Sequence, residues 1–508
     1  MDSKLLVSHH DAPRTHRCLY VAELLSNIVD FAFADQDNGG LALASLASTS
    51  KSFHVPAVDV LWRALPNIVP LLKCLPSDLW RGSHDMTYTL TRYPRADDWT
   101  RFNYYAPHVR RLGYSHSFKP LAGDIWCGVA LITRLAIPAC GLHLPNLCCI
   151  CWHTEARKLE EAFFLSSLIL PRGMVELDFG VQESWSLLAL LPTLNNLPTL
   201  STSLRTLRLS AHSPVSFTMP DGFIRGFDLH EFSCTVGKVS SETLQGLIAL
   251  PNLHTLHLAD CTEDAFDCPS TMKPFPSLRH IGLSRVILSV ANSLLSRLAH
   301  VPLESIELRF KSSVVYDSFC PKLVGVFQFR ALKSLKLQHS GSSPFDTLQP
   351  FYQLSQLQCL QLQVPLAIHT KSSAWAAAWP LLRDLQLGGR GIKPESIAFT
   401  PQDLIRIAEA WPHLESLRVT LKISGGISKG LFHGIREHPS LTTLHIYSSP
   451  MGDDPHTFAT FVSMLFPRLT SFRFETDQHH FQEDSNPEFH FSLISKLRRH
   501  DREHCHSK

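Results

Sequence analysis

At 508 residues the chain exceeds the ~250–300 residues over which one hydrophobic core usually grows, so several domains or a repeat array are expected. Apolar residues make up 44% and charged residues 18%, the balance of a packed chain rather than a disordered one. The formal charge of +2, with basic residues scattered, points away from nucleic acid as a partner, and no apolar run reaches the ~18–20 residues of a membrane span.

Thirteen cysteines are irregularly spaced, with no C-x-x-C pair set against a second pair, and no secretory signal precedes them. Reduced thiols in a cytoplasmic or nuclear protein are the expectation.

Residues 1–15 are polar and His-rich and read as a flexible terminus. Val21, Leu24, Leu25 and Ile28 then fall at i, i+3, i+4 and i+7, one face of a helix. Asp37-Asn38-Gly39-Gly40 ends it by turn chemistry. A second short helix carries Leu41, Leu43, Leu46 and Ala47, and a third, from about Pro56, carries Val58, Leu61, Trp62 and Leu65. Three short helices in ~45 residues bury too little surface to be well stabilised alone. They either offer apolar surface to a partner or cap a repeat array, since a solenoid needs its first repeat covered.

The segment from His16 to Leu65 resembles an F-box. Val21-Ala22-Glu23-Leu24-Leu25 matches that family's opening Ile-Pro-Glu-Leu-Leu, Leu46 to Phe53 its Ser/Cys-Lys-x-aromatic middle, and Ala57 to Leu65 its closing Leu-Trp-Arg-x-Leu. Pro70-Leu71-Leu72 and Leu75 to Trp80 continue as in F-box proteins of mushroom-forming fungi. The resemblance implies a three-helix F-box-like domain over 16–76 that docks on a Skp1-like adaptor of a cullin complex. The residues it implies for that docking are Val21, Leu24, Leu25, Ile28, Leu46, Leu61 and Trp62, some of which must also form the domain's own core. Ala22 stands where the family has proline, which costs a pre-organised first turn.

Residues 77–108 lack a clear period and read as a linker or capping segment, with Asp97-Asp98-Trp99 as a short helix start. From 109 to 480 the chain repeats as Leu-x-x-Leu-x-Leu in fifteen candidate units, from Val109-Leu112-Tyr114 and Ile132-Leu135-Ile137 to Leu469-Phe472-Phe474. Leu204, Leu229, Leu253, Leu278 and Leu303 step by 25, 24, 25 and 25 residues. That period is in the range of leucine-rich repeats, in which the last two apolar positions form a short strand with one buried face. The expected fold is therefore α/β, a helical head followed by a leucine-rich-repeat solenoid drawn as a horseshoe or arc. Residues 481–508 read as a C-terminal cap and mobile tail.

Residues alternating with the buried ones face outward on the strands. Arg208, Glu231, His257, Glu307, Arg309, Lys336 and Arg418 are the candidates there for gripping a protein substrate. Cys149, Cys151 and His153 share one face of a strand, but a ~6.6–7 Å spacing is wide for one tetrahedral ion, so ordinary repeat residues are the better reading. No phosphate-cradling loop, G-x-S-x-G elbow or H-E-x-x-H helix occurs, and no catalytic residue, metal or cofactor is expected. What the F-box resemblance implies is a non-catalytic substrate-recognition adaptor of an SCF-type ubiquitin ligase, with the repeat face holding the substrate. The alternative is an interaction scaffold whose helical head only caps the repeats.

Overall fold

A computed structural model describes residues 21–34, 39–66, 69–82, 88–92, 95–113, 144–153, 173–181, 197–199, 201–211, 219, 223–224, 226–237, 239–261, 275–311, 326, 328–339, 348–364, 378–388, 399–421, 429–432, 435–447 and 455–474. The expected flexible terminus, the unit Ile132-Leu135-Ile137, Tyr114 and the 481–508 tail lie outside them. The chain divides into two compact units, Met1–Val215 and Ser216–Lys508.

The first unit opens with α1 (Ala22–Phe33), α2 (Gly39–Thr49) and α3 (Lys51–Arg63). Glu23 sits in the first turn of α1, where a carboxylate complements the helix dipole. Gly39 and Gly40 are not the break but the first turn of α2. A Cβ on Gly39 would stand 2.6 Å from the Phe33 carbonyl oxygen, so glycine allows α2 to begin against the end of α1. α3 begins at Lys51 rather than Pro56, because Ser50 caps it by accepting the Phe53 N–H. Pro56 is then carried within the helix near its start. Val29, Leu43, Ala57 and Val60 form the core of this head, with Leu46, Phe53 and Leu61 packed around it.

A short β1 (Ala64–Leu65), α4 (Val69–Leu72), the antiparallel pair β2 (Trp80–Gly82) and β3 (Tyr88–Leu90), and α5 (Thr100–Tyr105) lead into β4 (Arg111–Leu112). Asp98 caps the turn before α5 and takes two hydrogen bonds from Arg92, at 2.6 and 3.0 Å, which hold its carboxyl at about 2. β5 (Cys149–His153), β6 (Glu176–Val181) and β7 (Thr206–Ala211) complete a parallel sheet in the order β1-β4-β5-β6-β7. β1 comes from the end of the helical head, so Leu65 pairs with Leu112 and the head's last residues are the first strand of the ladder. Trp62 stacks on Tyr105 at 4.2 Å and Asp59 is held by Arg63 and His108, which tie α3 to the same segment.

The second unit contains ten parallel strands among the described residues. They are β8 (Glu231–Cys234), β9 (Thr255–Ala259), β10 (His280–Val286), β11 (Ser305–Phe310), β12 (Ser334–Gln338), β13 (Cys359–Gln363), β14 (Asp384–Leu387), β15 (Ser416–Thr420), β16 (Thr443–Tyr447) and β17 (Ser471–Phe474). Each pairs with the next in register, so Ile306, Leu335, Leu360, Leu385, Leu417 and Leu444 lie in one row. All six are buried, as are the preceding Leu303, Leu332, Leu357, Leu382, Leu414 and Leu441. Each repeat thus buries its apolar side against its neighbours, the stacking arrangement of a leucine-rich repeat.

Among the described residues, four α-helices return the chain between strands here: α6 (Ser241–Ile248), α7 (Leu288–Arg297), α8 (Pro401–Ala410) and α9 (Pro455–Leu465). Ser240 caps α6, and Thr400 and Asp403 form a reciprocal capping box on α8 with Pro401 in its first turn. Trp379 donates to the Phe351 carbonyl at 3.0 Å and stacks on Trp411. His438 bridges the Trp411 carbonyl, at 2.8 Å, and the Leu441 N–H, at 3.0 Å.

Candidate functional sites on the head helices and the strand faces

α1 is apolar on two sides. Leu25 and Val29 turn into the head, whereas Val21, Leu24, Ile28 and Phe31, at i, i+3, i+7 and i+10, are exposed at 43%, 43%, 39% and 84%. Leu41 on α2 and Val55 on α3 are exposed as well. Of the seven residues expected to dock an adaptor, Val21, Leu24 and Ile28 are therefore on the surface. Leu25 is in the core, Leu46 and Leu61 are half-buried against it, and Trp62 is half-buried on Tyr105. Helical periodicity placed all seven on apolar faces but could not tell which face the domain covers with its own atoms. Phe31, the most exposed of the stripe, was not singled out from sequence.

The outward strand faces of the two units differ. In the first unit, register brings Arg111, Cys149, Glu176 and Thr206 into one row and Cys151, Asp178 and Arg208 into the next. Glu176 accepts from Arg111 at 2.9 Å and from Arg208 at 2.7 Å, and Arg208 also stands 3.7 Å from Asp178. Cys149 Sγ is 3.9 Å from Cys151 Sγ and 3.2 Å from Glu176 Oε2. Both thiols are buried. Burial opposes ionisation of Glu176, but hydrogen bonds from Cys149 and Arg208 outweigh it and hold the carboxyl below its ordinary value. The hydrogen bond between the two sulfurs pushes Cys149 up and draws Cys151 down. Burial pushes Cys234 up to about 11 and Cys261 up to about 12.

The thiols are closer than their strand spacing led us to expect. The ~6.6–7 Å repeat measures backbone positions two residues apart, and side-chain rotation brings the sulfurs together. The third group found among the described residues is Glu176, 27 residues away on the adjoining strand; the His153 side chain lies outside them. Only strand pairing reveals that neighbour.

In the second unit the corresponding row runs Ser233, His257, Gly282, Glu307, Lys336, Gln361, Gln386, Arg418, His445 and Arg473. The expected face residues Glu231, His257, Glu307, Arg309, Lys336 and Arg418 are all on these strands, and Arg208 belongs to the first unit. Glu307 is paired with Arg309 of its own strand at 2.7 Å, and Arg418 donates to Gln386 at 3.2 Å. Burial pushes the His257 imidazole below its ordinary value. A Cβ on Gly282 would lie 1.9 Å from His257 Nδ1, so the glycine gives the ring its room.

One group here escaped sequence reading. Arg285 occupies a bulge in β10 with φ of 52°, and its guanidinium reaches Asp260 at 2.7 Å and the Thr235 carbonyl at 3.0 Å. Lys311 adds a second cation to Asp260 at 3.3 Å. A single unpaired residue in one strand shifts a side chain in a way that period-2 reading cannot register.

No known family's sequence model matches the chain, and no curated protein matches it. Similar solved structures include an internalin from Listeria monocytogenes, 14% identical over 66% of this chain and 77% of that one, with a TM-score of 0.25. A TDR receptor is 13% identical over 69% and 61%, with a TM-score of 0.32. A chain of the yeast Rad7 and Elc1 complex is 16% identical over 85% and 98%, with a TM-score of 0.34. Likeness at this level assigns no function, and the repeat architecture rests on the strand ladders themselves. No helix among the described residues is long and apolar enough to cross a membrane.

Proposed function

We propose that the protein is a substrate-recognition adaptor of an SCF-type ubiquitin ligase. In this reading the head helices dock on a Skp1-like adaptor that links to a cullin, and the strand faces hold a protein substrate, in the cytoplasm or nucleus. The observation that carries the reading is the exposed stripe of Val21, which precedes α1, with Leu24, Ile28 and Phe31 on α1, in the segment that resembles an F-box. Its cluster of large apolar side chains costs free energy in water and is repaid by a partner surface. The protein contributes proximity rather than bond chemistry: a substrate held beside the ligase's ubiquitin carrier reacts at a raised effective concentration.

A second reading has an observation in its favour. β1 pairs with β4 and Trp62 stacks on Tyr105, so the head also behaves as the cap of the first repeats in a plain interaction scaffold. Co-expression of the full chain with a Skp1-like adaptor separates the two. The ligase reading expects co-elution, lost in the double variant Leu24→Asp/Ile28→Asp with the circular dichroism unchanged. Wild-type protein that fails to bind the adaptor at micromolar concentration would leave the scaffold reading.

A further inference from the structure

Beyond the adaptor reading, and independent of it, the strand face of the first unit assembles three ligand atoms. Cys149 Sγ, Cys151 Sγ and a Glu176 carboxylate oxygen all lie within 4.8 Å of one another. A tetrahedral zinc ion with Zn–S bonds of ~2.3 Å and a Zn–O bond of ~2.0–2.2 Å sets S···S near ~3.8 Å and S···O near ~3.5 Å. The separations here are 3.9 Å between the sulfurs and 3.2 Å from Cys149 Sγ to Glu176 Oε2. Two edges of one face of such a tetrahedron are therefore nearly in place, and the third, from Cys151 Sγ to the carboxylate, is no longer than 4.8 Å, within reach of side-chain rotation.

The charges fit as well. Among the described residues, the carboxylates Glu176 and Asp178 face the guanidiniums of Arg111 and Arg208 around the two thiols, a formal balance when both sulfurs carry their protons. A divalent ion entering as two thiol protons leave keeps that formal balance, which matters because Cys149, Cys151 and Asp178 are all buried. A carboxylate has about four lone-pair positions, so Glu176 can ligate an ion while keeping both guanidiniums as orienting partners. Two sulfurs and one oxygen are a donor set for a borderline-soft ion rather than for calcium or magnesium.

We propose that Cys149, Cys151 and Glu176 form a zinc-class metal site that staples β5 to β6. The test uses the full chain, reduced and stripped with chelator, then titrated with Zn2+ against a chromophoric competitor and separately with Co2+. One equivalent is expected, with a thiolate-to-cobalt charge-transfer band. Cys149→Ser/Cys151→Ser should lose both. Glu176→Gln, which keeps the thiols and the side-chain shape, should weaken binding at least about tenfold. Cys359→Ser, at a thiol in the other unit, should change neither. A wild-type chain that takes up no stoichiometric ion overturns the proposal. So does a charge-transfer band that survives the double serine variant or is indifferent to Glu176→Gln, because other cysteines would then hold the metal.

Discussion

Each unit builds its own run of parallel strands, and the two fill their outward faces differently. On β5, β6 and β7, charged and thiol side chains converge across strands, with Glu176 shared between Arg111 and Arg208 and with Asp178 almost fully buried beside them. In the second unit, Glu307 and Arg309 pair along one strand, Gln361 donates to Asp384 at 2.7 Å, and Arg418 donates to the neutral Gln386 at 3.2 Å. Among its described groups, burial shifts the imidazoles His257, His339 and His438 down and the thiols Cys234, Cys261 and Cys359 up. One face gathers its charges around the buried Asp178; the other pairs them along a strand or, at Asp260 with Arg285 and Lys311, beside a bulge. The first arrangement makes a site of fixed geometry and the second a broad polar surface on which no single residue dominates.

Filling the space above Gly282 tests how tightly the second face is built. Gly282→Ala drives a methyl into the His257 ring and should destabilise by about 1–3 kcal/mol. Adding His257→Ala should restore most of that loss in urea unfolding, giving a coupling energy well above the error of the cycle. Additive effects would show that the ring already has another place to go.

Charge removal should separate the units more directly. Arg208→Ala strips a cation from both Glu176 and Asp178, and should cost about 1–2 kcal/mol after allowance for an arginine that is 31% exposed. Arg309→Ala removes a 57% exposed partner from Glu307 and should cost no more than about 0.5 kcal/mol. Equal losses by thermal unfolding would remove the distinction between a buried cluster and a solvated pair.

Acid should act on the units in different windows, with the smallest effect per group. Burial holds His257, His339 and His438 below the ordinary value of 6.5. The unfolded chain therefore binds protons that the folded one refuses, and stability present above pH 6.5 is lost as pH falls through the folded values. For Asp59 and Glu176, burial opposes ionisation but hydrogen bonds outweigh it and depress both from 3.8 and 4.5. Their contribution persists above those values and is lost only as pH falls below them. Hydrogen exchange near about pH 5.5, corrected for intrinsic rates, should show β15 and β16 opening more readily than at about pH 7.5 while β6 keeps its protection. Parallel loss in both units would refute the assignment.

Much of the fold is legible in the amino-acid sequence. The Leu-x-x-Leu-x-Leu spacing identified the strands from Leu204 to Leu444, because a fixed period and a one-sided burial requirement leave the chain little choice. Helix limits were less legible. α3 begins at Ser50's cap rather than at Pro56, since a local hydrogen bond outranks the proline as a start signal. Nor did the head's sequence reveal that Ala64 and Leu65 leave the helix to become the first strand.

Sequence alone determined the repeat, the apolar faces of the head helices and the lack of familiar catalytic motifs, because all three are written in the spacing of neighbours along the chain. Tertiary structure decided which α1 residues stay exposed and which sulfurs, carboxylates and guanidiniums meet. The first depends on how α1 packs on α2 and α3, the second on register between strands roughly one repeat apart, where Glu176 falls beside Cys149 for a reason that no local pattern in either segment contains.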